Sequence, residues 1–290
     1  MDDKSVLEII NLLSIGIASH NPRIRVPSNV MTSNIFIPPD NLKTQEHLER
    51  ISDWTNKKKM KLNNSKTKNL VFNYSKNYQF STDLKLGGEV VETVPETKLL
   101  GTIITSDLNW KKNTQSLVRQ SNKRMSFLHK ASKFTSNIND LKRIYMMQVR
   151  SKLEQSAVLW HFGLSQKNRN DLERVQKCAL RVILGKRYTF YSEALSKLDI
   201  ESLNVRRESL CLRFAKNCLK VDKLKKMFPK SSTMHNMSKR SFEFYKVNRT
   251  LTERYLNSAV PQMQRMLNSY QEKKIKTLKQ LTMPVTLDLC

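Results

Sequence analysis

The chain has 290 residues, of which 39% are hydrophobic, so it can bury the core of one large domain or of two smaller ones. Lysine and arginine total 52 against 25 acidic residues, and a net charge of +27 indicates a polyanionic partner. Four scattered cysteines exclude the class of disulfide-rich secreted domains. No apolar run reaches the length of about 18 residues that a membrane span needs, and no basic leader precedes the first apolar stretch. We therefore expect an intracellular protein of the cytoplasm or nucleus that has no membrane partner.

The positive charge is concentrated in the later part of the chain. Residues 1–56 carry five basic and seven acidic side chains, whereas residues 57–290 carry 47 basic and 18 acidic ones, a balance of +29. Any nucleic-acid surface is therefore expected after residue 56.

The first hundred residues change from a helical to an alternating pattern. Residues 6–17 fit either a helix or a strand, and the proline-rich stretch 20–39 predicts an irregular connection. Asn41 predicts the cap of a helix. The inner face of that helix is expected to be Leu48, Ile51 and Trp54. Alternation then predicts a strand over 70–72, two strands joined by the Gly87-Gly88 turn, and a third strand over 99–104.

From Trp110 onward the apolar residues recur at helical spacing, which predicts a bundle. The expected buried stripes are Leu141, Ile144, Tyr145, Val149, Leu153, Ala157 and Trp160, then Val175, Ala179 and Val182, then Leu210, Phe214 and Cys218. Residues 222–290 are polar and basic with weak periodicity. The sequence thus predicts an α+β protein that ends in a helical bundle and a basic tail.

Two of these helices also carry a basic row at spacings of three and seven residues, which brings each row onto one helix face. The rows are Arg174, Lys177 and Arg181, and Arg213, Lys216 and Lys220. Each row alone is compatible with an ordinary solvated face. Their repetition with few neutralising acids favours a surface for phosphates.

Motifs in the middle of the chain resemble those of non-LTR (LINE-type) retrotransposon reverse transcriptases. Residues 60–68, with the strand 70–72, resemble the LN-x-x-KT element of the late palm, and 98–103 resembles the K-Y-L-G strand of the primer-holding hairpin. Residues 107–110, Asp-Leu-Asn-Trp, resemble the D-x-x-L-x-W entry to the thumb in its L-x-W part, with the Asp directly before the Leu. Residues 159–160, 172–181 and 202–207 resemble the region downstream of the polymerase in Jockey-like elements.

The resemblance implies three parts. Residues 1–106 would be the end of the palm with a primer-grip-like hairpin, 107–221 a thumb-like helical bundle, and 222–290 a basic extension. Lys66 and Lys68 would lie near the incoming nucleotide, while Lys98 and the two basic rows would contact the backbone of an RNA or DNA template–primer.

The resemblance also aligns Met1-Asp2-Asp3 with the catalytic turn of the palm. There aspartates hold two Mg²⁺ ions, and Asp2 is the better candidate metal ligand of a remnant site formed with Asp3. The fingers and the other aspartate precede this turn in the family, so the site is incomplete unless upstream residues complete it, and we expect neither bound Mg²⁺ nor polymerase activity from this chain alone. The residues themselves also fit a helix capped by Asp3.

The expected function is therefore that of a fragment of an RNA-directed DNA polymerase from a transposable element, one that binds nucleic acid without polymerising. Two alternatives stay open: a non-catalytic interaction protein or decayed reading frame, and a truncated gene model of an active reverse transcriptase. The histidines and cysteines lack zinc-site spacing, so no zinc is expected.

Overall fold

The computed structural model describes residues 41–60, 62–72, 83–231, 244–247 and 253–282. The chain divides into two compact units, the first running Leu7–Gln120 and the second containing Ser121–Cys290. The expectations for 6–17 and 20–39, and those for Asp2 and Asp3, lie outside the described residues. The three-part division expected from the resemblance stays a prediction.

Helix α1, Asn41–Lys57, packs against the first strand of the first unit. Half-buried Leu48 contacts a small core made of Leu84, Leu86 and Val91. The predicted inner face is wrong at Trp54, which is 43% exposed, whereas its neighbour Thr55 is buried. The Thr55 hydroxyl donates to the Ser52 carbonyl at 2.8 Å, so this polar side chain is satisfied within its own helix and can face inward.

Two short antiparallel sheets follow within the described part of this unit. Strands β1, Lys85–Leu86, and β2, Glu89–Val90, are joined by Gly87-Gly88, both at positive φ, which confirms the predicted turn. Strands β3, Glu96–Leu99, and β4, Thr102–Thr105, form a second hairpin.

Two of the predicted strands are wrong. The chain reverses inside the predicted strand 99–104, because Leu100 and Gly101 both adopt positive φ and form a two-residue turn between β3 and β4. Residues 70–72 are not a strand either. The structure describes these three residues without strand pairing. The residue before them, Asn69, pairs with Thr93 in an isolated parallel bridge.

Helix α2, Lys111–Phe134, begins after Asn109, whose side chain accepts from the Lys111 amide at 3.0 Å. Trp110 and Leu117 are buried in the first unit, so the predicted change to helix at Trp110 is confirmed. The division between the two units falls within this helix.

The second unit begins its bundle with a long, irregular helical segment. Helix α3, Ile138–Ile144, continues into a π-helix, Tyr145–Arg150, and then into two short helices, α4, Ser151–Leu153, and α5, Ala157–Trp160. The predicted stripe is buried throughout except at Ile144, which is half-buried. Ser156, at φ +54°, separates the last two helices.

Three further helices complete the bundle. They are α6, Gln166–Leu184, α7, Tyr191–Leu198, and α8, Leu203–Cys218. Helices α6 and α8 begin at serine caps, because Ser165 and Ser202 accept from backbone amides of the first turn. Helix α6 packs against α3, α7 and α8, and α8 also packs against α5.

The predicted inner faces of α6 and α8 are partly correct. Val175 and Ala179 are buried, but Val182 is only half-buried. Leu210 and Phe214 on α8 are half-buried, and the buried side chains of this helix are Leu203, Arg207, Cys211, Ala215 and Cys218. The buried stripe is therefore shifted by one residue from the predicted one, from Leu210 and Phe214 to Cys211 and Ala215.

The basic tail forms further helices where it is described. They are α9, Asp222–Lys225, α10, Glu253–Leu256, and α11, Ala259–Thr282. Helix α11 packs against α8 and buries Val260, Met263 and Leu267. The described chain is therefore mainly helical with two small antiparallel sheets, in agreement with the predicted α+β class. No described helix is both long and apolar enough to cross a membrane.

Candidate nucleic-acid interface

The first basic row lies on α6, on the side away from its buried face. Arg174 and Arg181 are exposed and Lys177 is half-buried, whereas Val175 and Ala179 point into the bundle. The helical repeat therefore separates cations from core as the sequence predicted. A rise of 1.5 Å per residue spreads the row over about 10 Å of helix axis.

Two cations of this row rest on aromatic rings. The Lys177 Nζ atom lies 5.0 Å from the ring centroid of Tyr191, and the Arg181 guanidinium carbon lies 5.3 Å from that of Tyr188. Such cation–π contacts orient the side chains and leave their charge in place. Tyr188 comes from the segment between α6 and α7, and Tyr191 is the first residue of α7, so the row is held by chain outside its own helix.

That connecting segment adds two cations which the sequence reasoning missed. Helix α6 ends at Leu184, and the following turn, Gly185–Arg187, exposes Lys186 and Arg187. Gly185 adopts φ +53° and ψ −125°, which a residue with a side chain strongly disfavours. The signal was available in the sequence, where Gly-Lys-Arg-Tyr-Thr-Phe-Tyr interleaves cations and aromatic rings over 185–191.

We define the basic–aromatic surface as the set of basic and aromatic side chains of residues 174–191, on α6 and on the chain that follows it up to the start of α7. Its members are Arg174, Lys177, Arg181, Lys186, Arg187, Tyr188, Phe190 and Tyr191. Residues 174–191 contain five basic side chains and no acidic one. No carboxylate within this segment therefore neutralises the surface.

The acidic residues that flank this segment are already engaged. Glu173 accepts a hydrogen bond from the Tyr191 hydroxyl and another, at 3.1 Å, from the Leu203 amide. Glu193 pairs with Lys197 at 2.7 Å and accepts from the Thr189 hydroxyl. The hydrogen bonds from Lys197 and Thr189 hold the pKa of Glu193 below its usual value. Neither carboxylate is paired with a cation of the surface.

A buried hydrogen-bond network fixes Tyr191, and with it the ring beneath Lys177. The buried Gln176 side chain donates to the Tyr191 hydroxyl at 2.9 Å and to the Glu201 carbonyl at 3.0 Å. It accepts from the Tyr145 hydroxyl at 2.5 Å. Burial, followed by the bond to Glu173, raises the pKa of Tyr191, so the ring stays neutral. The Tyr191 hydroxyl is thus held between Gln176 and Glu173, which fixes the ring that lies beneath Lys177.

The second predicted row lies on α8. Arg213 and Lys220 are exposed, but Lys216 is half-buried and its Nζ atom lies 3.2 Å from the ring centroid of Tyr270 on α11. The tail helix thus covers one member of this row. The two outer cations of the row are exposed to solvent.

The other predicted binding lysines, Lys66, Lys68 and Lys98, belong to the first unit. Lys66 and Lys98 are exposed, and Lys68 forms an ion pair with Glu92. The candidate catalytic and metal residues Asp2 and Asp3 lie outside the described residues. Among the residues that are described, no group of His, Cys, Asp and Glu side chains is arranged to hold a metal ion.

Comparisons of the chain with protein-family models, with curated proteins and with solved structures find no match. The resemblance to non-LTR reverse transcriptases therefore stays a prediction that rests on the motifs in the sequence.

Proposed function

We propose that this chain binds the phosphate backbone of RNA or DNA, without reading its sequence, through the basic–aromatic surface. The observation that carries this proposal is the segment 174–191, with five cations, no acid, and both flanking carboxylates occupied elsewhere. Phosphate contacts position a protein on nucleic acid and carry no base information of their own.

The dimensions of the surface support this function. Successive phosphates of one strand rise about 3.4 Å along a DNA duplex, so the row of about 10 Å on α6 matches roughly three of them. The stacked arginine and lysine lose less side-chain freedom on binding than mobile ones would, because their rings already restrict them.

The motif order supports a more specific proposal, that the chain derives from an RNA-directed DNA polymerase of a LINE-type element. In that case residues 107–221 would be the thumb-like bundle, and the bound molecule would be a template–primer. This part of the proposal depends on the resemblance alone, whereas backbone binding also rests on the described surface.

The test is a salt titration of binding to a primed RNA–DNA duplex. The slope of log affinity against log salt is about −0.9 for each duplex phosphate that is contacted. Replacing Arg174, Lys177 and Arg181 with Gln should flatten this slope by roughly two to three units.

A matched control carries the same loss of charge elsewhere. Lys57, Lys58 and Lys59 are exposed in the first unit, and their replacement with Gln removes three charges without touching α6. We expect this control to change the slope by less than about one unit. If the wild-type chain fails to bind at low salt, or if both triple variants flatten the slope equally, the proposal is wrong and a protein-interaction role becomes the better interpretation.

A further inference from the structure

Within the part of the chain that the structure describes, Phe190 is the aromatic residue of the basic–aromatic surface with no cation over its ring. Its side chain is 77% exposed, whereas the rings of Tyr188 and Tyr191 are each covered on one face by Arg181 and Lys177. A single exposed apolar side chain is common on protein surfaces and means little by itself. What distinguishes Phe190 is its position among cations.

The backbone that carries this ring is held in place. Phe190 precedes the first turn of α7 in an extended conformation, and its carbonyl accepts from the Ala194 amide at 2.9 Å. The adjacent Thr189 hydroxyl bonds to Glu193. The ring is therefore presented from a fixed helix start rather than from a free loop, which lowers the entropy lost when a ligand covers it.

The cations nearest to Phe190 in the sequence are close enough for one nucleotide to contact both them and the ring. Arg187 is three residues before Phe190, so their Cα atoms are at most about 11 Å apart. Arg187 and Lys186 are both exposed, and no acid intervenes. Glu193, three residues after Phe190, is already paired with Lys197. An exposed ring with two cations just before it in the chain fits a ligand with a flat apolar face joined to an anion, which is the chemistry of a nucleotide unit.

We propose that Phe190 is a stacking site for one unpaired base of an RNA or DNA strand whose phosphates lie against Arg187 and Lys186. This inference rests on the proposed backbone binding and adds a preference for single-stranded regions. Bases inside a duplex already stack on their neighbours, so only an unpaired base has a face free for the ring. Every base has such a face, and the contact therefore selects strandedness rather than sequence.

The experiment uses the full chain and two probes at one salt concentration: a labelled thymidine strand of about twenty nucleotides, and the duplex that it forms with its complement. Affinities are measured by fluorescence anisotropy. Stacking contributes about 1–3 kcal/mol per base, so Phe190→Ala should weaken single-strand binding by roughly 5- to 150-fold. Duplex binding should change by less than about twofold, since the cations remain.

Two controls separate stacking from other effects. Phe190→Trp keeps a flat ring and should retain single-strand affinity, whereas Phe134→Ala removes a ring that is 90% exposed on α2 and should change neither affinity. A third probe, a single strand of equal length whose sugars carry no bases, keeps every phosphate. On that probe the wild-type chain and Phe190→Ala should bind equally.

The outcomes distinguish this inference from the proposed function. If the wild-type chain binds neither probe, backbone binding itself is wrong, and a protein partner is the better assignment for the exposed ring. If it binds both but Phe190→Ala leaves the ratio of the two affinities unchanged, or weakens abasic binding equally, stacking on Phe190 is overturned and backbone binding stands.

Discussion

Arg207 and His161 form a buried polar pair against Trp160. The Arg207 Nε atom donates to His161 Nδ1 at 3.3 Å, and the guanidinium lies 5.8 Å from the Trp160 ring. Both side chains are almost wholly buried. Burial, with a smaller contribution from Arg207 and Arg169, lowers the pKa of His161 to about 3. The imidazole is therefore neutral in the folded chain at physiological pH.

This pair gives the second unit a defined sensitivity to acid. The unfolded chain protonates His161 near pH 6.5 and the folded one only near pH 3, so the unfolded state binds more protons between these values. The free energy of unfolding should consequently fall as pH drops below 6.5, by up to about 1.4 kcal/mol per pH unit from this group. Urea denaturation between pH 7 and pH 4 measures it.

The matched variant for this prediction is His161→Gln, which cannot be protonated in that range and should flatten the pH dependence. Glu208, whose carboxylate lies 4.0 Å from the imidazole, also faces the site with Arg169 and Arg207, and all three are kept in the variant. An equal slope for wild type and variant would show that the imidazole does not carry this sensitivity.

Trp160 is the largest fully buried side chain of the second unit, and its position was predicted from the sequence. Its indole N–H donates to the Gln155 carbonyl at 2.9 Å. Trp160→Ala should lower the free energy of unfolding by about 3–5 kcal/mol, because it leaves a large cavity in the bundle. Phe134→Ala, at a ring that is 90% exposed, should cost under about 0.5 kcal/mol. Similar costs for the two variants in urea denaturation would contradict the assigned helix register.

At the scale of elements, the irregular helical segment shows what a sequence pattern can and cannot predict. Leu141, Tyr145, Val149, Leu153 and Ala157 recur every four residues and are all buried. An ideal α-helix repeats every 3.6 residues, so a stripe of period four would rotate away from the core. The π-helix Tyr145–Arg150 bonds at i→i+5 and takes up the excess residues. The apolar spacing therefore predicted a buried helix. A spacing of four residues is also accepted for an ordinary α-helix, so the same pattern could not predict the π-helix.

The first unit was harder to predict because its elements are short. The Gly-Gly turn is evident from composition, but Leu100-Gly101 reads equally well as the middle of a strand. Leu100 adopts positive φ, which is uncommon for a leucine, so its neighbours along the chain gave no indication of a turn there. At Trp54, hydrophobicity predicted burial, whereas the small first-unit core lies against Leu48. A strand of four residues has too few positions for an alternating pattern to show which residues belong to the strand and which to the turn.

The turn at Gly185 connects the stability of α6 to the basic–aromatic surface. A Cβ atom there would meet nothing within 4 Å, so the cost of a side chain is conformational and not steric. Gly185→Ala should destabilise the second unit by about 1–3 kcal/mol, because φ +53° with ψ −125° is strained for any other residue. Lys186→Ala, an exposed change in the same turn, should cost under about 0.5 kcal/mol in the same urea denaturation. A neutral Gly185→Ala would contradict the backbone geometry of this turn.

At the scale of the whole molecule, net charge predicts the kind of partner, and only contacts predict where it binds. The α6 row has the register that the sequence predicted. The rings that hold it come from residues after the helix, and helical periodicity gives no information about them. The same limit applies to α8, where Tyr270 lies 54 residues beyond Lys216 and belongs to a tail with weak periodicity.

The α8 row therefore leads to a prediction about how far the binding surface extends. If α6 and α8 contribute to one surface, Arg213→Gln with Lys220→Gln should flatten the salt slope by about one to two units, additively with the α6 triple variant. Lys216→Gln alone should change the slope by less than about 0.5 units, because the tail helix α11 covers its ammonium at 3.2 Å from the Tyr270 ring, closer than Lys177 and Arg181 lie to their rings at 5.0 and 5.3 Å. Salt titrations of the double variant, the single variant and the combined five-residue variant measure these effects. A double variant with the wild-type slope would show that the α8 row is an ordinary solvated face and that binding is confined to the basic–aromatic surface.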